Sequence, residues 1–155
     1  MRFTLSILAI TLCFACSQKP KNTTNLPEEY LGTWQLISSD YHSKDTIQSN
    51  MIEGQEMMKI ITSTHFAFFL HDLKQGTDST NVAYMSGGGK VAYKNGEYTE
   101  NLEYCTAREW ENHSFSFKLK LRGDTLIQQG IEKLEDLGLG DENLLLIEKY
   151  IKVKK

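Results

Sequence analysis

The chain has 155 residues, a formal net charge of −3, 24% charged residues and three cysteines. That length implies one domain. The mild acidity lacks the high pI and broad basic surface usual in nucleic-acid-binding proteins, so no nucleic-acid partner is expected.

The first segment reads as a targeting signal. Met1-Arg2 supplies a short positive start, and "FTLSILAITLCF" follows as an apolar run of secretory length, too short to span a bilayer. Ala15 then precedes Cys16. The arrangement resembles a bacterial lipoprotein signal over 1–15, with Cys16 as the lipidated first mature residue. A plain secretory signal cut nearby, or an uncleaved anchor, is the alternative. All place the protein outside the cytoplasm, and the lipid on Cys16 would join it to the cell envelope, at the periplasmic face or outer membrane. With Cys13 lost and Cys16 lipidated, Cys105 has no partner for a disulfide within the chain. Residues 16–26 are mostly polar and read as a tether; the domain is expected over 27–155.

The domain reads as strands and turns. "PEEYL" suits one helical turn, since proline is favoured at a helix start. Strands are expected at 31–39, 57–63, 65–71, 82–93, 97–105, 114–122, 125–130 and 144–153, and a short helix within 132–142. Many short, evenly spaced strands argue for an all-β sandwich or barrel.

Two hairpins can be paired residue by residue, and a third can be read from a turn. A turn at Ser63-Thr64 puts Met58, Ile60, Thr62, His65, Ala67, Phe69 and His71 on one face, and Lys59, Ile61, Phe66, Phe68 and Leu70 on the other. Both faces are apolar, and the position of Lys59 favours the first set as the inner one. His65 then either lines a cavity or is a hydrogen-bonded turn residue. The Asn95-Gly96 pair is a strong two-residue turn signal. It places Val91, Tyr93, Tyr98, Glu100, Leu102 and Tyr104 inside, with Cys105 on the wet face. A turn at Gly123-Asp124 places Phe115, Phe117, Leu119, Leu121, Leu126 and Gln128 inside, and Lys118, Lys120 and Arg122 outside.

Chemistry-bearing motifs are sparse. "SGGGK" lacks the hydroxyl residue a phosphate loop needs after the lysine, and a bulge or strand corner accounts for it. "RGD" is accounted for by a turn. His65 and His71 are six strand residues apart, roughly 20 Å, and cannot share a metal; no metal or cofactor is expected. Trp110, in "REWENH", is either a lid over a barrel mouth or a packed loop residue. Glu100 is the sharpest signal, because a carboxylate among apolar groups must be paired, hydrogen-bonded or protonated. It is either part of a structural network or a polar anchor in a greasy pocket. The cavity candidates are Tyr93, Tyr98, Glu100, Tyr104, Gln128, His65, Phe69 and Phe117. No arginine or lysine falls on the assigned inner faces, so a neutral or cationic ligand is expected.

"LGTWQLIS" poses the question of why a tryptophan opens the first strand. In a closed barrel one large side chain can plug an end, and the preceding glycine permits a sharp backbone turn. Together with "KIITSTHFAFF", "SGGGKVAYKNGEYTENLEY", "GDTLIQQG" and "IEKYIKV", it resembles a lipocalin-like, Bacteroidetes-type family of secreted bacterial lipoproteins. The resemblance implies an eight-stranded antiparallel up-and-down barrel with at most short helical turns, a small-molecule cavity and no established reaction. It also implies barrel closure by Gly32, Trp34 and Lys152, the lysine lying over the tryptophan ring as a cation–π partner. The function expected is binding of a small apolar or amphipathic molecule. The alternatives are a barrel enzyme using Glu100 as general acid or base with Tyr98 or His65, and an envelope accessory protein with a filled barrel and a partner-binding rim.

Overall fold

The computed structural model describes residues 25–80 and 82–154. The signal, Cys16 and most of the tether therefore lie outside the described residues.

Among these, nine strands form one antiparallel sheet: β1 (Gly32–His42), β2 (Ile47–Ser49), β3 (Gln55–Ile61), β4 (His65–Asp72), β5 (Tyr84–Lys94), β6 (Glu97–Cys105), β7 (His113–Arg122), β8 (Thr125–Glu132) and β9 (Leu144–Lys152). Apart from β2, which lies outside β1, neighbours in the sheet follow chain order, and β1 also pairs with β9, so an eight-stranded antiparallel barrel closes on itself. Closure removes the free strand edges that an open sheet would expose. The short β2 was not expected. It is a three-residue exposed strand that pairs only with Asp40–His42 at the end of β1.

The local signals act as their chemistry requires. Asn95 and Gly96 both take positive φ, at 54° and 81°, as a type I′ turn demands. Register then runs Tyr93 to Tyr98 and Val91 to Glu100. Of the pair at 123–124, only Gly123 has positive φ, at 58°, the pattern of a type II′ turn. Pro27 precedes one 3-10 turn, Glu28–Tyr30. A second such turn, Arg108–Trp110, was not expected. The helix expected within 132–142 does not form. Residues 133–139 make a single turn, with Leu137 N–H donating to Lys133 O and Leu139 N–H to Leu134 O, and Gly138 follows at φ 68°.

One end of the barrel is filled. Trp34 and Tyr150 are fully buried, and Leu26, Tyr30, Ile61 and Leu126 pack with them. Leu26 thus belongs to the domain, one residue before the expected boundary. Trp34 Nε1 donates to Tyr30 O at 2.9 Å, so the indole is satisfied by the 3-10 turn beneath it. Gly32 explains the Gly-x-Trp spacing: its φ is +137°, and a Cβ there would stand 3.1 Å from Lys152 Cε. Lys152 pairs with Trp34 across β1 and β9 and holds its Nζ 5.0 Å from the indole centroid.

Two bulges re-aim side chains. In β1 the register with β9 shifts between Leu36 and Ser38, leaving Ile37 outside and turning Ser39 inward. In β6 it shifts between Leu102 and Tyr104, opposite Gly89 and Gly88. The extra residue, Glu103, inverts the alternation beyond it. The glycine run serves this corner: a Cβ on Gly89 would stand 1.9 Å from Asn101 O.

A polar cluster in the barrel cavity

Beyond the filled end lies a cavity of about 360 Å³. Much of its wall is apolar, from Met57, Phe66, Phe68, Met85, Trp110 and Phe115 among others. The odd-even period of the strands brings a compact set of polar side chains to the same wall: Lys59 from β3, Glu100 from β6, Gln128 and Glu132 from β8, Glu148 from β9, and Ser39 and Tyr41 from β1.

Lys59 is the hub. It is 4% exposed, and its Nζ lies 3.0 Å from Glu100 Oε1, 3.3 Å from Gln128 Oε1 and 4.0 Å from Glu148 Oε2. It also sits 5.3 Å from the Tyr150 ring centroid and 6.0 Å from that of Phe117. Tyr98 Oη donates to Glu100 Oε1 at 3.0 Å, and Tyr150 Oη donates to Glu148 Oε2 at 2.7 Å. Nearer the open end, Tyr41 Oη donates to Glu132 Oε2.

Burial controls the protonation of two acids and three tyrosines of this cluster. It pushes the Glu148 carboxyl up, against the pull of Lys59 and the Tyr150 hydrogen bond, with the Glu100 charge adding to the rise. Glu132 is likewise raised, chiefly by desolvation, with Tyr41 opposing. Tyr41, Tyr98 and Tyr150 are all raised by burial first and by their carboxylate partners second, so each stays a hydrogen-bond donor at neutral pH. Two buried polar atoms remain unpartnered among the described residues: Ser39 Oγ and Gln128 Nε2. Both residues line the cavity.

The structure brings some expected residues together and separates others. Glu100, Gln128 and Phe117 line the cavity. Tyr98 is fully buried and hydrogen-bonds to Glu100 from the filled side. Tyr93 is half-buried and packs against the core at the filled end. His65, Phe69 and Tyr104 do not face the cavity. His65 is the exposed first residue of β4, and its Nδ1 meets Thr64 Oγ1 at 2.9 Å. Phe69 is 43% exposed and Tyr104 is 71% exposed, both on the outside of the barrel. The physical reasons differ. The β3–β4 register is as read, Ile61 to Phe66 and Met58 to Phe69, but the opposite face turns inward. Tyr104 lies past the Glu103 bulge, which sends it outward and Cys105 inward to the wall, reversing both assignments. Trp110 lines the cavity, its ring centroid 5.8 Å from that of Phe115.

Lys59 also overturns the expectation of an interior without cations. One ammonium now faces three carboxyls, those of Glu100, Glu132 and Glu148, so the acidic bias of the interior stands on a different footing. Lys59 was hidden because its hairpin is apolar on both faces. Glu148 was legible: it shares the period-two face of Lys152, which was assigned to barrel closure. No family model matches the chain, and no curated protein matches it.

Proposed function

We infer that this protein binds one small amphipathic molecule, neutral or cationic, in its barrel, and that it does so at the cell envelope, tethered through Cys16. The observation that carries the reading is the cavity: about 360 Å³, largely apolar in its wall, with polar groups gathered on one side. That combination is the usual makeup of a small-molecule site. The resemblance of the motif blocks to lipocalin-like secreted lipoproteins supports both the carriage role and the anchor. A barrel enzyme run by Glu100 fits the geometry less well, because Oε1 of that carboxylate already accepts from Lys59 and Tyr98.

Native mass spectrometry of the purified protein tests the binding reading. A co-purifying small molecule, released on denaturation, is the expected result. A folded barrel that neither carries nor takes up any apolar molecule would end it. For the anchor, Cys16→Ser is expected to move the protein from the membrane fraction to the soluble fraction.

A further inference from the structure

The geometry points to the chemical class of the ligand: a protonated amine with a neighbouring neutral oxygen, carried on an apolar body and seated on the row Ser39–Glu148–Gln128. This deepens the binding role proposed above and rests on it.

The row is built by the sheet. Glu148 is the cross-strand partner of Ser39 on one side and of Gln128 on the other. Three polar side chains therefore stand side by side on adjacent strands, about 4.8 Å apart in the pairing direction, on the wall of one cavity. Ser39 is 2% exposed and Gln128 1% exposed, yet Ser39 Oγ and Gln128 Nε2 have no partner among the described residues. Buried polar atoms without partners are costly, and each one in a native structure calls for an explanation.

The orientation of Gln128 is settled by its neighbour. An ammonium can only donate. The amide therefore turns its oxygen to Lys59 Nζ at 3.3 Å and leaves its NH2 as the free end. That free donor asks for a neutral oxygen on the ligand. Glu148 asks for the opposite. Its Oε2 takes the Tyr150 hydroxyl, while Lys59 Nζ is 4.0 Å away and closer to Glu100. The carboxyl is thus only partly compensated, and Glu132 adds a second acid to the wall. An ammonium between Glu148 and Ser39 satisfies the carboxylate and the hydroxyl oxygen together. Among the described residues no three His, Cys, Asp or Glu side chains are grouped to hold a metal ion, so an organic cation suits the row better. The raised carboxyls of Glu148 and Glu132 agree with this arrangement. An entering ammonium draws them back towards ionisation, and binding releases protons.

Four probes of one skeleton read the class directly: phenylalaninol, 3-phenylpropylamine, 3-phenylpropan-1-ol and 3-phenylpropanoate, titrated calorimetrically into the full-length protein. Phenylalaninol is expected to bind tightest. The simple amine follows about threefold weaker, the alcohol about tenfold weaker than the amine, and the carboxylate last. Amine binding should also release protons, read as an enthalpy that varies with the buffer. Glu148→Gln should bring amine and alcohol within about threefold of each other. Ser39→Ala, which breaks no protein hydrogen bond, should weaken phenylalaninol about threefold and serves if Glu148→Gln does not fold. Four probes that bind alike, a carboxylate that binds best, or an amine preference intact in both variants would overturn the assignment while leaving the ligand cavity standing. No binding by any probe to a folded protein would remove the cavity reading and this one with it.

Discussion

The two halves of the barrel interior are built from the same alternating strands and differ in one respect. At the filled end the large side chains are aromatic or aliphatic, and the polar atom of the plug is partnered: Trp34 Nε1 donates to Tyr30 O. In the cavity half the wall carries Lys59, Glu100, Glu132 and Glu148, and leaves Ser39 Oγ and Gln128 Nε2 without partners among the described residues. A region shaped for stability alone would resemble the first half throughout. Unpartnered polar atoms persist where something other than the fold requires them. On the proposed reading the filled end belongs to stability and the other half to recognition.

The largest test of that division is Trp34→Ala. Trp34 is fully buried and does not line the cavity. Truncation should cost about 3–5 kcal/mol of stability in chemical denaturation. Protein that remains folded should bind the amine probes nearly as before. A loss of affinity without unfolding would show that the plug shapes the cavity.

Next comes Lys59→Met. It leaves Glu100 and Glu148 buried without their ammonium, and removing one partner of a buried pair typically costs about 3 kcal/mol or more. The cost should shrink in mild acid, where Glu148, raised by burial, takes up its proton. Adding Glu100→Leu should restore much of the lost stability, because an apolar replacement of both partners is often neutral. Denaturation midpoints of the two variants at pH 5 and pH 7 decide the matter. If Lys59→Met is harmless at pH 7, the cluster is wetter than its burial suggests.

The pH dependence follows from the same acids with the sign reversed relative to the rim. Glu148 and Glu132 are raised by burial. The native state therefore binds more protons than the unfolded chain between the ordinary carboxylate pKa, about 4.3, and their raised values. Stability falls as pH climbs through that window. Asp72, at the end of β4, is lowered by the backbone N–H groups of Gly76 and Ala83. Its contribution is present above the ordinary aspartate value and is lost as pH falls below it. Thermal melts should peak in mild acid, and Glu148→Gln should flatten the fall towards neutral pH. A melt that rises steadily from pH 5 to pH 8 would contradict the buried acids.

Legibility divides along similar lines. The barrel could be read because period-two alternation and the Asn95-Gly96 and Gly123-Asp124 turns act locally, and the register they imply is the one formed. Trp34 could be read because a plug needs only size and a glycine. Where β3 and β4 were concerned, register was legible but the face was not. Met58, Ile60 and Phe69 are as apolar as Ile61, Phe66 and Phe68, and only carboxylates from β6 and β9 make the Lys59 side the inner one. The bulge at Ile37 leaves no mark in the pattern, and the glycine run of β5 signals a bulge or corner without fixing the extra residue at Glu103. Each bulge is an extra residue fixed by pairing to another strand, β9 for Ile37 and β5 for Glu103, so the strict alternation carries no inward place for Ser39 and sets both Tyr104 and Cys105 on the wrong side.

The finest test returns to the filled end. Lys152 is half-buried, its Nζ is 5.0 Å from the Trp34 centroid, and its stem runs against Gly32. Lys152→Met keeps the stem and removes the charge, so it isolates the cation–π contact, worth about 0.5–1 kcal/mol at a site still touched by water. Lys152→Arg should hold stability or add a little, because a flat guanidinium stacks on an indole better than an ammonium does. Neither change should alter probe binding, since neither Lys152 nor Trp34 lines the cavity. A shift in amine affinity from Lys152→Met would mean that charge at the plug is felt by Glu148, four residues back on the same face of β9. The interior would then be one electrostatic unit rather than two, and the unpartnered atoms of the cavity could not be explained by recognition alone.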